Sequence, residues 1–143
     1  MKRKMLGVTL IELMIVIIVL AILASIAVPS YRRYLIRAQR TEGTGALLQI
    51  QQAQEKFFLQ NNRYAGAAEL TPAPPGGLGL PAITPNRRYD IVIASPAPGT
   101  TFTATATPRA GGGQTDDSHC QTFGINEQGV RTSGPDPIAT CWK

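Results

Sequence analysis

Apolar positions fall into two regimes along the chain. Residues 8–28 are apolar at 18 of 21 positions, and residues 13–24 carry no polar side chain at all. From Pro29 onward only 41 of 115 positions are apolar, and they return at regular intervals. Tyr31, Tyr34, Leu35 and Ala38, then Ala46, Ile50, Ala53 and Phe57, recur in steps of three and four. This spacing predicts one helix from about Val8 to Gln60, apolar all round in its first half and on one face in its second.

Residues 65–85 are rich in Pro, Gly and Ala and read as a loop. Beyond it the period changes to two. Tyr89, Ile91 and Ile93 alternate with Asp90, Val92 and Ala94; Phe102, Ala104 and Ala106 alternate with threonines; Phe123 and Ile125 form a third set. Asn126 to Gly129 reads as a hairpin turn into a fourth strand near Val130. One apolar face per strand predicts an antiparallel sheet buried on one side, with the long helix as the element available to cover it. The predicted fold class is α+β.

Length and charge narrow the function. The chain has 143 residues, room for one small domain beside the apolar segment and too little for a two-lobed enzyme. Fourteen Lys and Arg against nine Asp and Glu give a charge of +5.

Lys2, Arg3 and Lys4 precede the apolar run, and 21 helical residues reach about 30 Å, the thickness of a bilayer core. The run therefore can span a membrane. A cleaved secretory signal, with Ser25-Ile26-Ala27 as its small-residue site, and an unprocessed anchor are the competing readings. Glu12 stands out, because a carboxylate inside such a helix costs about 2.5 to 3.5 kcal/mol and needs a named partner. The nearest cation in a chain that starts at residue 8 is the α-amino group of Val8; hydration near the membrane surface is the alternative. Pro29 removes a backbone donor, so a kink or a meltable turn is expected there.

Arg32, Arg33, Arg37 and Arg40 follow the run, so basic residues alone do not orient it. The cysteines do. Cys120 and Cys141 are the only two, and in a small domain with few apolar residues they suit a disulfide in an oxidising compartment, closing the region 120–141. Free thiols or metal ligands are the alternatives, though His119 is the only histidine to complete a metal site.

The stretch Gly7-Val8-Thr9-Leu10-Ile11-Glu12, behind its short basic leader and ahead of Pro29-Ser30-Tyr31, closely resembles the class III leader of type IV prepilins. Arg40-Thr41-Glu42-Gly43, Ala46-Leu47-Leu48 and Asn62-Arg63-Tyr64 resemble the PilE-type minor pilins, a branch related to DNA-uptake pilins. The resemblance implies a pilin fold and cleavage between Gly7 and Val8 by a prepilin peptidase that also methylates Val8. It implies pairing of Glu12 with the amino terminus of a neighbouring subunit. Residues 1–7 would be leader, 8–28 the transmembrane and filament-core helix, 29–62 its amphipathic continuation and 63–143 the globular domain. The implied partners are inner-membrane lipid, the assembly platform and other pilin subunits. The implied location is the inner membrane, with the C-terminal domain periplasmic, and then the pilus; no cofactor is expected. A secretion-system pseudopilin, which shares the leader, is a rival.

The remaining candidates concern binding. Arg87, Arg88, Arg109 and Arg131, near a threonine-rich strand and the Gly111-Gly112-Gly113 loop, could offer nucleic acid a basic surface whose contacts weaken with salt. Arg33, Arg37 and Arg40 share a helix face and read first as a solvated face, with lipid headgroups or nucleic acid as alternatives. Gly43 and Gly45, costly in a helix, mark either a soft point or a close approach. Asp116 and Asp117 read as a solvated turn or weak cation contact, and the lone His119 makes a poor catalytic base.

Overall fold

The computed structural model describes residues 8–97 and 99–142. The chain divides into two compact units, one up to Leu35 and one from Ile36 onward. A single helix, α1 (Leu10–Asn61), runs from the first into the second.

In the first unit the helix is exposed as far as Tyr34. Every residue from 8 to 34 is exposed, and an 18-residue window of the helix has a mean hydropathy of 3.0. That is long and apolar enough to cross a membrane. Thr9 caps the start, its hydroxyl accepting the Glu12 N–H at 3.3 Å and its carbonyl the Leu13 N–H at 3.2 Å. The helix continues through Pro29, which lacks the N–H that would reach the Ser25 carbonyl.

In the second unit the same helix buries Arg40, Gly43, Leu47, Ile50, Gln54 and Phe57, in alternating steps of three and four. This corrects the expected face. Ile50 and Phe57 lie on it, but Ala46 and Ala53 are only half-buried at its margin, and Ala38, Tyr31 and Tyr34 are exposed. Two of the buried positions are polar and one is glycine, so apolar spacing alone misplaced the stripe. The glycines separate as well. A Cβ on Gly43 would sit 3.2 Å from the Tyr89 ring, so the residue marks a close approach, whereas Gly45 faces open space.

Four strands follow: β1 (Tyr89–Ala94), β2 (Thr103–Pro108), β3 (Cys120–Asn126) and β4 (Arg131–Pro135). They form one antiparallel sheet in the order β1-β2-β3-β4, with Tyr89 opposite Pro108, Ala106 opposite Phe123 and Ile125 opposite Arg131. The turn after β3 closes with the Gly129 N–H on the Asn126 carbonyl at 2.9 Å, and Gly129 takes a φ of 74° that favours glycine. Tyr89, Ile91 and Ile93 of β1, Ala104 and Ala106 of β2, and Phe123 and Ile125 of β3 are buried, and with Leu47, Ile50 and Phe57 of α1 they make one core.

The helix–sheet connection is fastened by side chains. The Gln54 carboxamide is fully buried; it donates to the Ala65 carbonyl and accepts the Ala65 N–H, both at 2.8 Å. Beyond it a 3-10 turn, Ala67–Glu69, is held by Arg63, which donates to Glu69 Oε2 at 2.8 Å. The Arg63 hydrogen bonds, with that from the Gly66 N–H, hold the Glu69 carboxyl down at about 2. Because the folded value lies below the ordinary one, the stabilisation this pair gives is complete above the usual carboxylate range and is lost as pH falls toward 2. A carboxyl titration of Glu69 by NMR is expected to show a midpoint near 2. A midpoint at the ordinary Glu value would refute the pairing in solution.

A short helix, α2 (Ile138–Cys141), ends the described chain and was not foreseen. It presents Cys141 to Cys120, and the two are bonded with their Cα atoms 5.6 Å apart.

Candidate functional site

Of the residues that the resemblance ties to processing and assembly, Gly7 lies outside the described residues. Val8 and Glu12 are both exposed, on opposite sides of the Thr9 cap. The Glu12 N–H is committed to the cap, which sets its carboxylate in the first turn of the helix.

The four arginines of the globular unit do not form one surface. Arg87 and Arg88 precede β1 and Arg109 follows β2, so pairing of Tyr89 with Pro108 brings these three to one end of the sheet. The Arg109 N–H donates to the Arg88 carbonyl at 2.8 Å, and Gly112 packs so closely on residues 87 and 88 that a Cβ there would lie 2.7 Å from the Arg87 carbonyl oxygen. Arg131 begins β4 and therefore lies at the opposite end, 5.0 Å above the Trp142 ring.

Their charges are unequally available. Arg88 Nη1 donates to Glu42 Oε2 at 2.7 Å and Arg109 Nη1 to Asp90 Oδ1 at 2.6 Å. Burial of Glu42 acts to raise its carboxyl, but hydrogen bonds from Thr84, Arg88 and Asn86 outweigh it and hold it below the ordinary value. Arg87, exposed and at a left-handed φ of 57°, enters no ion pair among the described residues. Among the four, Arg88 and Arg109 are engaged in ion pairs, while Arg87 and Arg131 are exposed and enter no ion pair among the described residues.

Two further expectations are corrected. Arg40 is not part of a solvated face: Arg33 and Arg37 are exposed, but Arg40 is 7% exposed and paired with Asp117, itself 2% exposed. Nε donates to Oδ2 at 2.6 Å and Nη2 to Oδ1 at 2.9 Å, a fork on both carboxylate oxygens. Asp117 is therefore no solvated turn residue. Sequence patterning missed the pair because its members stand 77 residues apart, one in a helix rich in charge and one in a glycine-rich loop.

Other polar chemistry is sparse. His119 Nδ1 lies 3.1 Å from Asp136 Oδ2 at the surface. Among the described residues no group of three or more His, Cys, Asp or Glu is placed to hold a metal ion. Burial pushes the Tyr89 hydroxyl well up from its ordinary value, the nearby Gln114 side chain acting in the opposite sense.

Residues 29–124 match the family described as type IV minor pilin ComP, DNA uptake sequence receptor, and residues 2–28 match the prokaryotic N-terminal methylation motif. The fimbrial protein EcpC of Eikenella corrodens is 33% identical over 112 residues, 78% of this chain and 68% of that protein. The type IV major pilin protein PilA of Myxococcus xanthus is 40% identical over 72 residues, half of this chain, which spans only 33% of that longer protein. In fold, the chain is similar to a type IV pilin from Shewanella oneidensis, with a TM-score of 0.53 at 20% identity over 76% of this chain and 98% of that one. A long helix followed by a four-stranded antiparallel sheet, under a methylation motif and a matching family profile, has one assignment: the chain belongs to the type IV minor pilin family.

Proposed function

We propose that this chain is a structural subunit of a type IV pilus. Before assembly its apolar helix lies in the inner membrane and its C-terminal unit in the periplasm. A prepilin peptidase cuts between Gly7 and Val8 and methylates Val8, and the assembly platform then draws the helix from lipid into a filament with other pilin subunits. The filament serves twitching motility and adhesion.

The observation that carries this reading is the exposure of every residue from 8 to 34 on a helix almost wholly apolar over 8–28. Such a surface is stable only in lipid or among other helices, and a filament supplies the second once the first is left behind. Cleavage after Gly7 also removes Lys2, Arg3 and Lys4, leaving eleven basic residues against nine acidic ones, a charge of +2. Most of the basic excess thus belongs to the leader. The intact mass of the mature protein tests the reading: it is expected to fit a chain starting at methylated Val8. A start beyond residue 24 would indicate ordinary signal cleavage and remove the filament helix altogether.

A second reading, DNA binding at the filament surface, is favoured by the matching family's description and by Arg87, exposed beside Arg88 and Arg109 and in no ion pair among the described residues. Retardation of duplex DNA by the full chain in detergent micelles at low salt, weakened by Arg87→Gln, would support it. No retardation at low salt would end it.

A further inference from the structure

We propose that Arg40 is the positioning residue for disulfide closure, the template on which Cys120 and Cys141 are brought together. Its guanidinium touches both sides of the closed region, beside the backbone bond from the Asp136 N–H to the His119 carbonyl at 2.9 Å. On one side it holds the Asp117 carboxylate through Nε and Nη2. Asp117 Oδ1 in turn accepts the N–H groups of His119 and Cys120, both at 3.2 Å, and so fixes the backbone that carries the first sulfur. On the other side Arg40 Nη1 donates at 3.2 Å to the carbonyl of Thr140, the peptide oxygen that adjoins Cys141.

The chemistry of closure shows what such a template contributes. As the Sγ–Sγ bond forms, the two thiols lose two protons and two electrons, and an external disulfide oxidant is reduced to two thiols. The rate and equilibrium of that exchange depend on how often the second thiol lies within reach of the mixed disulfide on the first. Cys120 opens β3 opposite Pro135 of β4, and Cys141 ends a four-residue helix in which its N–H donates to the Pro137 carbonyl at 3.2 Å; Arg40 adds a side-chain tie that reaches the neighbours of both cysteines. A buried fork with a third hydrogen bond to spare fixes both at once. Lysine, a compact point charge, lacks the planar fork that spans Asp117 and Thr140 here. The inference concerns the fold and stands whether or not the chain enters a filament.

The test uses the full chain in detergent micelles, reduced and then equilibrated with mixtures of reduced and oxidised glutathione. Free thiols are trapped with iodoacetamide and counted by mass, which yields the effective concentration of the cysteine pair. Arg40→Gln is expected to lower it about tenfold or more, the scale of losing hydrogen bonds from a charged group. Arg40→Lys should recover only part of the loss. Arg33→Gln, which removes an exposed arginine from the same helix, should leave the value unchanged. Leu78→Ala, a core truncation on the helix–sheet loop, should also leave it unchanged while circular dichroism reports a folded chain. A parental value in Arg40→Gln, within about twofold, would overturn the proposal, as would an equal fall in Leu78→Ala. Should Arg40→Gln not fold, Arg40→Lys decides by the same twofold criterion.

Discussion

Replacing Asp117 by alanine is expected to lower the unfolding free energy of the globular unit by about 3 to 5 kcal/mol, the cost of leaving a buried guanidinium without its counter-charge. For a unit of this size that is a fall in melting temperature on the order of 15 °C, measurable by thermal circular dichroism. The size follows from burial rather than from the mere presence of an ion pair. Asp90, paired with Arg109 at the same 2.6 Å distance but with both side chains about a third or more exposed, should cost under about 1 kcal/mol when replaced. Replacing both buried partners together, Arg40→Met with Asp117→Leu, should restore most of the loss, because no charge is then stranded. If Asp117→Ala and Asp90→Ala cost the same, the buried pair has been misread.

The second large effect is functional and rests on the proposed assembly. Glu12→Leu is expected to insert in the membrane at least as well as the parent, since it removes a carboxylate worth about 2.5 to 3.5 kcal/mol against insertion. It should nevertheless be nearly absent from filaments sheared off the cell surface. Immunoblots of membrane and sheared fractions make the comparison. Normal incorporation would show that Glu12 has no partner in the filament and that its place in the first turn serves only the helix.

These two sites were unequally legible in the sequence. Glu12 announced itself because a charge in an apolar run is costly unless it is hydrated at the membrane surface or paired. Asp117 did not, because adjacent acids after a glycine-rich stretch look like a surface turn, and the arginine that buries one of them lies far away in sequence. The helix face was misplaced by the same blindness. Arg40 and Gln54 belong to the buried stripe only by virtue of Asp117 and the Ala65 backbone, partners that hydrophobic periodicity cannot see. Gly43 completes the stripe for a steric reason, the Tyr89 ring against it.

The strands, by contrast, were readable almost to the residue. Tyr89, Ile91 and Ile93 face a core while Asp90, Val92 and Ala94 do not, and a period of two survives in composition because one side of this sheet meets water. Helix α2 lay beyond such reasoning: four residues hold no period, and what stabilises them is Cys141 on Cys120.

Trp142 follows that bonded cysteine directly. Its indole N–H donates to the Thr132 carbonyl at 2.9 Å, its ring packs edge-on to Phe123 at 6.1 Å between centroids, and Arg131 lies over it. It is also the only tryptophan in the chain. The protein therefore carries a built-in optical probe: excited beyond the absorption of its four tyrosines, it emits from a single source, seated where the C-terminal segment meets the sheet, and undocking of that segment changes the colour and intensity of the light without any label being attached.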